Sequence, residues 1–486
     1  MSSPTQTEPE TRAAEKLLSQ LRDVVPDARI DETPSERDSR SRDRWPEAGK
    51  WSEAEQDRHR PWAVVRPASV EEVSAVMQAA HAAGVPVVPF GAGSGVVGGV
   101  VNEGAFISLD LGALTAPPVF DDARGEVTVG AGVLGADLEA AARERARRIP
   151  HYPQSLALAS VGGLVATRSS GTFSSKYGNI EDLLVALEVV LADGSIVRTR
   201  AVPRSSTGPS IAQLFVGSEG TLGVITSVTL RTFPVAQESR FRGVAFRDLA
   251  DGLATVRSIL DEGVTPAVIR LYDADEAEHL YERAGLAADG KVLLILGFDG
   301  NAAVVAAEEE VSLAVAAGHG GEDLGVGPGE TWERTRFDAS WLERGNAGKG
   351  MIADAIEVSG AWPELHGLHK SVLSAMRPHV DRAYAHYSHF YPNGGAAYFI
   401  FFASGSNREQ ALENYRNAWD AALRTVLEAG GSVSHHHGVG EARKDWMARE
   451  HGSALTVLKK LKAALDPTGI LSANKLGLSS GERTGR

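Results

Sequence analysis

Three consecutive imidazoles, His435, His436 and His437, sit in the segment SHHHGVG behind a strand-like run. Imidazole titrates near neutrality, so such a cluster suits general acid–base chemistry. Side chains alternate along a strand, which predicts His435 and His437 on one face and His436 on the other. The alternatives are a solvated histidine run or a metal site, and a metal would need further converging ligands, for which no partner is assigned. A second feature is the loop GAGSGVVGG, in which Gly93, Gly95 and Gly98 satisfy G-x-G-x-x-G. A Rossmann fingerprint must open a helix, whereas this loop runs within about ten residues into the strand-like Ala105 to Leu111. Its backbone N–H groups can instead line up on a pyrophosphate with no Cβ in the way. Two further Gly/Ser/Thr-rich blocks follow, around residues 153–171 and 217–226, and three such loops suit a ligand longer than one phosphate.

The elements that must hold these loops are legible from capping and periodicity. Ser69 and Glu72 form a capping-box pattern, Val70, Val73, Val76, Met77 and Ala80 share a helical face, and Gly84 ends the helix. Strand signals at Val85 to Phe90, Ala105 to Leu111 and Glu126 to Val133, then an Ala-rich helix to about Arg148, make one small α+β lobe. A second block from His151 contains a hairpin signal at Asp193-Gly194 and closes at Pro234. From about residue 240 the pattern becomes strand–helix–strand, which predicts an antiparallel sheet covered on one face by helices. A helix from Ser453 to Leu465 and the turn DPTGILSANK end the patterned region, and no internal repeat is visible. Residues 1–60 are charged and poor in apolar residues, and read as a mobile or surface-wrapped arm with little core.

Composition narrows the partners. With 486 residues and 43% hydrophobic content the chain can fill two or more domains. A formal charge of −14 repels a phosphate backbone, so nucleic acid is excluded as an expected partner. Without cysteine there are no disulfides, thiolate metal sites or thiol catalysis. The N-terminus lacks the apolar region of a secretory signal, and a cytoplasmic location is expected. The longest apolar stretch, Ala396 to Ala403, is far short of the roughly 20 residues of a membrane span, so any lipid contact is expected to be peripheral.

PFGAGSG, then PQSLALASVGG with ATRSSG and YGNIEDL, then GSEGTLGVIT, in that order and spacing, resemble the FAD-binding domain of the vanillyl-alcohol-oxidase (p-cresol methylhydroxylase) flavoprotein superfamily. The resemblance implies a two-lobed α+β FAD-binding domain over residues 61–237, preceded by the arm 1–60. It implies a substrate cap over 238–440 and a C-terminal segment 441–486 that returns to the FAD domain. It assigns the pyrophosphate to Pro89, Phe90, Gly91, Ala92, Gly93, Ser94 and Gly95. The ribityl chain and isoalloxazine fall to Gln154, Ser155, Leu156, Ala157, Leu158, Ala159 and Ser160, with Thr167, Arg168, Ser169 and Ser170. The adenine side falls to Glu219, Gly220, Thr221, Leu222, Gly223, Val224 and Ile225. Some members tether FAD through a histidine in the first loop; none occurs between Gly91 and Gly99, so non-covalent FAD is expected.

Within that superfamily SHHHGVGEARKDW, DPTGILSANK, TPAVIRLYD and GGAAYFIFF are similar to the alkyldihydroxyacetonephosphate synthase (alkylglycerone-phosphate synthase) family over most of residues 60–475. The similarity implies that Tyr398 is an acid–base group, that His435, His436 and His437 are essential, and that His151 lies beside the flavin. It further implies a structural role for Arg270, a conserved-tail role for Asn474, a lipid-like substrate and a homodimer. The family reaction is redox-neutral: flavin N5 traps the carbon bearing the acyloxy group, fatty acid leaves, and a fatty alcohol adds to give an ether. Related D-2-hydroxyacid dehydrogenases carry G-H-x-G-D-G-N-x-H and E-H-G-I-G. Here Ala396 stands where the second His of that pattern would be and His436 where the Glu would be, so no metal is expected. The family's phosphate-binding arginine falls, by ungapped counting, on Glu343, and the adjacent Arg344 is its expected substitute. The competing readings are an FAD-linked oxidase or dehydrogenase of a 2-hydroxyacid or alcohol, which differs in net electron transfer, and an FAD-binding module without catalysis.

Overall fold

The helix expected after Ser69 runs from Val70 to Ala83 in the computed structural model, which describes residues 8–348 and 350–478. Ser69 Oγ accepts the Glu72 N–H at 3.2 Å, and Gly84 closes the helix at φ +65°. The reciprocal half of the capping box is absent, because the Glu72 carboxylate accepts the Arg29 guanidinium at 2.6 and 2.7 Å. The helix buries Val73, Val76, Met77 and Ala80 in one core with Ala63–Val65, Val87–Phe90 and Ile107–Asp110, strands that pair in parallel. A second lobe is a five-stranded antiparallel sheet in the order Val119–Asp121, Glu126–Gly130, Val224–Arg231, Leu184–Val190, Ile196–Arg198. The Asp193-Gly194 hairpin forms as expected, with Gly194 at φ +85° and Val190 opposite Ile196. After the C-terminal helix Leu455–Leu465 the chain returns to the first lobe, where Leu471 bridges to Val87.

The middle of the chain folds as a seven-stranded antiparallel sheet. Its order is Glu322–Asp323, Glu238–Phe246, Val292–Gly300, Val268–Tyr272, Arg382–Tyr391, Gly394–Ser404, Met351–Ala361. The helices Leu249–Asp261, Ala302–Gly318, Trp362–Met376 and Arg408–Glu428 cover one face and bury Leu271, Ile356, Ala397, Phe399 and Phe401. Register makes the opposite face chemical. Glu357 pairs with Tyr398, Tyr398 with His386, and His386 with Tyr272, so these four side chains form one row across four neighbouring strands. A buried ion pair ties this sheet to the preceding lobe: Arg148 Nη1 donates to Asp299 Oδ2 at 2.9 Å.

The expectation that residues 1–60 carry little core is not met. The helix Glu8–Leu21 places Leu17 and Leu21, four residues apart and fully buried, in the core of the first lobe, and Ile30–Asp31 adds a strand to its sheet. The charged majority of the segment hides this narrow stripe, which compositional reading averages away. Arg42 to Pro46 then pass beside the glycine loop. Leu17→Ala should therefore cost about 2–5 kcal/mol in urea unfolding of the whole protein; a detached arm would show no change.

Candidate active site

A cavity of about 1390 Å³ opens between the glycine-rich blocks and the chemical face of the large sheet. Pro89, Gly91 to Gly95, Gln154, Ser155, Leu158 to Ser160, Thr167, Ser169, Ser170, Glu219, Gly220, Gly223 and Ile225 line one side. Arg270, Tyr272, His386, His389, Tyr398, His436 and His437 line the other. Among the described residues no backbone N–H from Ala92 to Val97 donates a hydrogen bond, which leaves these donors available to an anion. The blocks also approach one another closely: a Cβ on Gly91 would meet Ser160 Oγ at 2.5 Å. The donor chemistry and the volume fit FAD, with the loop N–H groups on its pyrophosphate. At Gly95 the N-terminal segment packs closely: a Cβ there would strike Asp43 Oδ2 at 2.8 Å. Asp43 also accepts the Gly98 and Gly99 N–H groups at 3.1 and 2.9 Å, and burial pushes its carboxyl up to about 6.

Several of the expected cofactor residues do not line this cavity. Leu222 and Val224 belong to the cores, Thr221 Oγ1 donates to the Ser218 carbonyl at 2.6 Å, and Phe90 packs beneath Gly93. Leu156 packs against Gly135, Ala157 is exposed, and Arg168 projects outward to Glu181 at 2.8 Å. Asn474 is exposed on a left-handed turn at φ +65°, and its neighbour Lys475 is the pinned residue, donating to Val101 and Glu441. Arg344 is exposed and donates to Ser340 Oγ at 2.7 Å at the outer end of the cavity. His151 is 3% exposed with neither ring nitrogen bonded, and burial drives its pKa down to about 3.

The histidine triplet is not a strand. It is a turn clasped by two buried carboxylates, so simple alternation of faces does not apply. Glu357, fully buried, accepts the N–H groups of His435, His436 and His437, the last at 2.8 Å, and the Ser434 hydroxyl at 2.9 Å. Arg443, also fully buried, lies 3.2 Å from the same carboxylate and donates to the carbonyls of Val433 at 2.7 Å and Gly438 at 2.9 Å. The Arg443 charge and the His435 backbone N–H hold the Glu357 carboxyl down at about 2 against the upward push of burial. From the other domain Glu219, at φ +49°, accepts the N–H groups of Val439 and Gly440 at 2.5 and 2.9 Å. The third glycine block therefore anchors the histidine turn directly.

So held, the imidazoles of His435 and His436 join a closed hydrogen-bonded ring. With the Asn179 amide nitrogen on Tyr391, every direction follows, because each hydroxyl and each neutral imidazole donates once around the ring. Asn179 donates to Tyr391 Oη at 3.0 Å, Tyr391 to His435 Nε2 at 2.8 Å, and His435 Nδ1 to His436 Nδ1 at 2.9 Å. His436 Nε2 donates to Tyr398 Oη at 2.8 Å and Tyr398 to His389 Nε2 at 3.1 Å. His389 Nδ1 donates to Ser170 Oγ at 2.9 Å, and Ser170 closes the ring on the Asn179 carbonyl. Burial keeps the imidazoles neutral, lowering His435 and His436 to about 3 and His437 to about 4, and raises the Tyr398 hydroxyl well above its usual value. Beside the ring, His386 donates through Nδ1 to Glu276 at 2.8 Å, which leaves Nε2 to accept from Arg270.

His389, Glu357, Arg443, Asn179 and Tyr391 escaped the sequence reading. His389 should alternate onto the core face, but a bulge between Ser388 and Tyr391, with His389 at φ +51°, turns it into the site. The dehydrogenase-like pattern in SHFYPNGG was the available signal. Among the described residues no group of three or more His, Asp or Glu side chains is arranged to hold a metal.

Two family models match the chain: an FAD binding domain over residues 61–200 and the C-terminal domain of FAD linked oxidases over 235–476. An uncharacterized FAD-linked oxidoreductase, YgcU, of Escherichia coli strain K12 is 34% identical over 441 residues, covering 86% of this chain and 89% of its own length. The chain belongs to the FAD-linked oxidase family. FAD is its cofactor, bound in a fold of the vanillyl-alcohol-oxidase (p-cresol methylhydroxylase) type. Family relatives include an alkyldihydroxyacetonephosphate synthase of Dictyostelium discoideum, 30% identical over 87% of this chain and 74% of that one. A probable mitochondrial D-lactate dehydrogenase of Danio rerio is 27% identical over 96% and 92%. Solved structures of an alkyldihydroxyacetonephosphate synthase and of p-cresol methylhydroxylase share the fold, with TM-scores of 0.78 and 0.77 at 23% and 17% identity. They cover 97% and 98% of this chain and 85% and 98% of their own. Among the described residues no helix is long and apolar enough to cross a membrane.

Because the unfolded imidazoles titrate near 6.5 and the folded ones near 3 to 4, the unfolded state binds more protons in between. Stability should therefore rise with pH across that window, and His436→Gln should flatten the slope by about 1.4 kcal/mol per pH unit. Urea midpoints measured between these limits check this, and an unchanged slope would contradict buried neutrality. Acid precipitation of the yellow protein should release its flavin, since no first-loop histidine can tether it; colour retained in the pellet would show a covalent link.

Proposed function

We propose that the protein is an alkylglycerone-phosphate-synthase-like enzyme that exchanges the acyl group of an acyl-dihydroxyacetone phosphate for a fatty alcohol. The observation that carries this reading is the Tyr398 hydroxyl, set in the cavity wall between His436 at 2.8 Å and His389 at 3.1 Å. Such a hydroxyl can take a proton from a carbon beside a carbonyl while passing its own to His389, or give one while being refilled from His436. When bound, FAD supplies an electron sink at the reacting carbon. Burial of the ring keeps bulk water from short-circuiting the relay. The closing steps are balanced by the leaving fatty acid, which departs as the carboxylate, and by the alcohol, which gives up its proton as its oxygen bonds the carbon. Leu280, Leu342, Met351 and Ile400 also line the cavity and offer apolar surface to an alkyl chain.

A second reading, a dehydrogenase of a D-2-hydroxyacid, draws on the D-lactate dehydrogenase relatives. Ala396 and His436 in place of ligand positions weigh against it, as does the engagement of His389 by Ser170, Ser174 and Tyr398. Tyr398→Phe should retain FAD and lose exchange by about 10²-fold or more. Wild-type turnover should need no electron acceptor and resist chelators. Flavin bleaching by D-lactate or glycolate, with acceptor-dependent and chelator-sensitive turnover, would install the dehydrogenase instead.

A further inference from the structure

The cavity contains a buried arginine that the ring and the glycine blocks do not use. Arg336 lines it with a side chain only 8% exposed, and its guanidinium is boxed by the rings of Phe337, Tyr152, Phe173 and Trp332 at 4.1, 5.6, 5.7 and 5.9 Å. Nη1 donates to Thr172 Oγ1 at 3.0 Å, while Nε has no hydrogen-bond acceptor. The nearest carboxylate oxygen, on Glu333, stands 3.7 Å away and its side chain is 43% exposed. Arg270 lines the same cavity, 5.8 Å from the centroid of the shared Trp332 ring, and its Nε is likewise unbonded. It donates through Nη2 to neutral His386, so Glu276 compensates it only at second hand. Two guanidinium groups inside one aromatic-walled compartment, each with a free donor and neither paired face to face with a carboxylate, form a receptor for an anion.

We infer that Arg336 and Arg270 bind a phosphate monoester of the substrate, a task the sequence comparison had assigned to Arg344. This rests on the synthase reading for the identity of the ester but not for the existence of the pocket. A dianion matches two guanidinium charges, and its three terminal oxygens can meet both forks at once, whereas one carboxylate is satisfied by a single fork. Arg344, by contrast, is exposed and donates to Ser340 Oγ.

Calorimetric titration of the FAD-loaded protein with sn-glycerol 3-phosphate, at constant ionic strength, tests the pocket without requiring turnover. The ester should bind, Arg336→Met should weaken it by about tenfold or more at unchanged FAD content, and Arg336→Lys should fall between. Arg334→Gln, two residues away and exposed, should bind as the parent does. The lysine variant keeps the test intact should the methionine variant fail to fold. No binding to the parent, equal binding by Arg336→Met, loss in Arg344→Gln instead, or tighter binding of acetate than of the phosphate ester would each overturn the assignment. Ester binding through Arg336 without ether exchange would keep the pocket and remove the synthase reading.

Discussion

The site depends on one buried carboxylate. Glu357 has no exposed surface, and its two oxygens accept the backbone N–H groups of all three histidines together with the Ser434 hydroxyl. Hydrogen bonds to a charged acceptor are each worth about 1.5–3 kcal/mol, more than enough to impose a turn on a chain that would otherwise continue as a strand. Burying that charge is tolerable only because Arg443 stands beside it and ties down the carbonyls at both ends of the turn. Strand register then converts the clasp into chemistry. Glu357 is the direct partner of Tyr398, so fixing the turn on Glu357 also fixes His436 against the Tyr398 hydroxyl.

Neutral imidazoles give the hydrogen-bonded ring a single sense. A protonated histidine would present two donors and break the sense of the ring, so the depressed pKa values of His435 and His436 and the closed circuit through Asn179 and Ser170 are one property seen twice. The ring crosses the domain boundary. Asn179 and Ser170 come from the FAD-binding part, Tyr391, Tyr398 and His389 from the large sheet, and the histidine turn is additionally held by Glu219. Any shift of one part relative to the other therefore alters the proton path and the cofactor cradle together.

Much of this was legible in the residues. Glycines at 91–95, the Ser69-capped helix, the Asp193-Gly194 turn and the sheet-with-helices pattern are local signals, set by capping, turn chemistry and periodicity within a few residues. The pieces that stayed hidden are those whose meaning is tertiary. Leu17 and Leu21 are two apolar residues in a charged segment and matter only because a groove in the first lobe receives them. Glu357 reads as one more strand residue until Arg443, 86 positions later, comes beside it. The Arg336 guanidinium lies among four rings, an arrangement visible only in space.

The central claim is that the Glu357 carboxylate builds the histidine turn. Amide hydrogen exchange across residues 434–440 tests it most directly, comparing the FAD-loaded parent with Glu357→Gln. The amides of His435 and His437 should be strongly protected in the parent and exchange far faster in the variant, while the helix Arg408–Glu428 keeps its protection. Equal protection in both proteins, or fast exchange in the parent, would contradict the account.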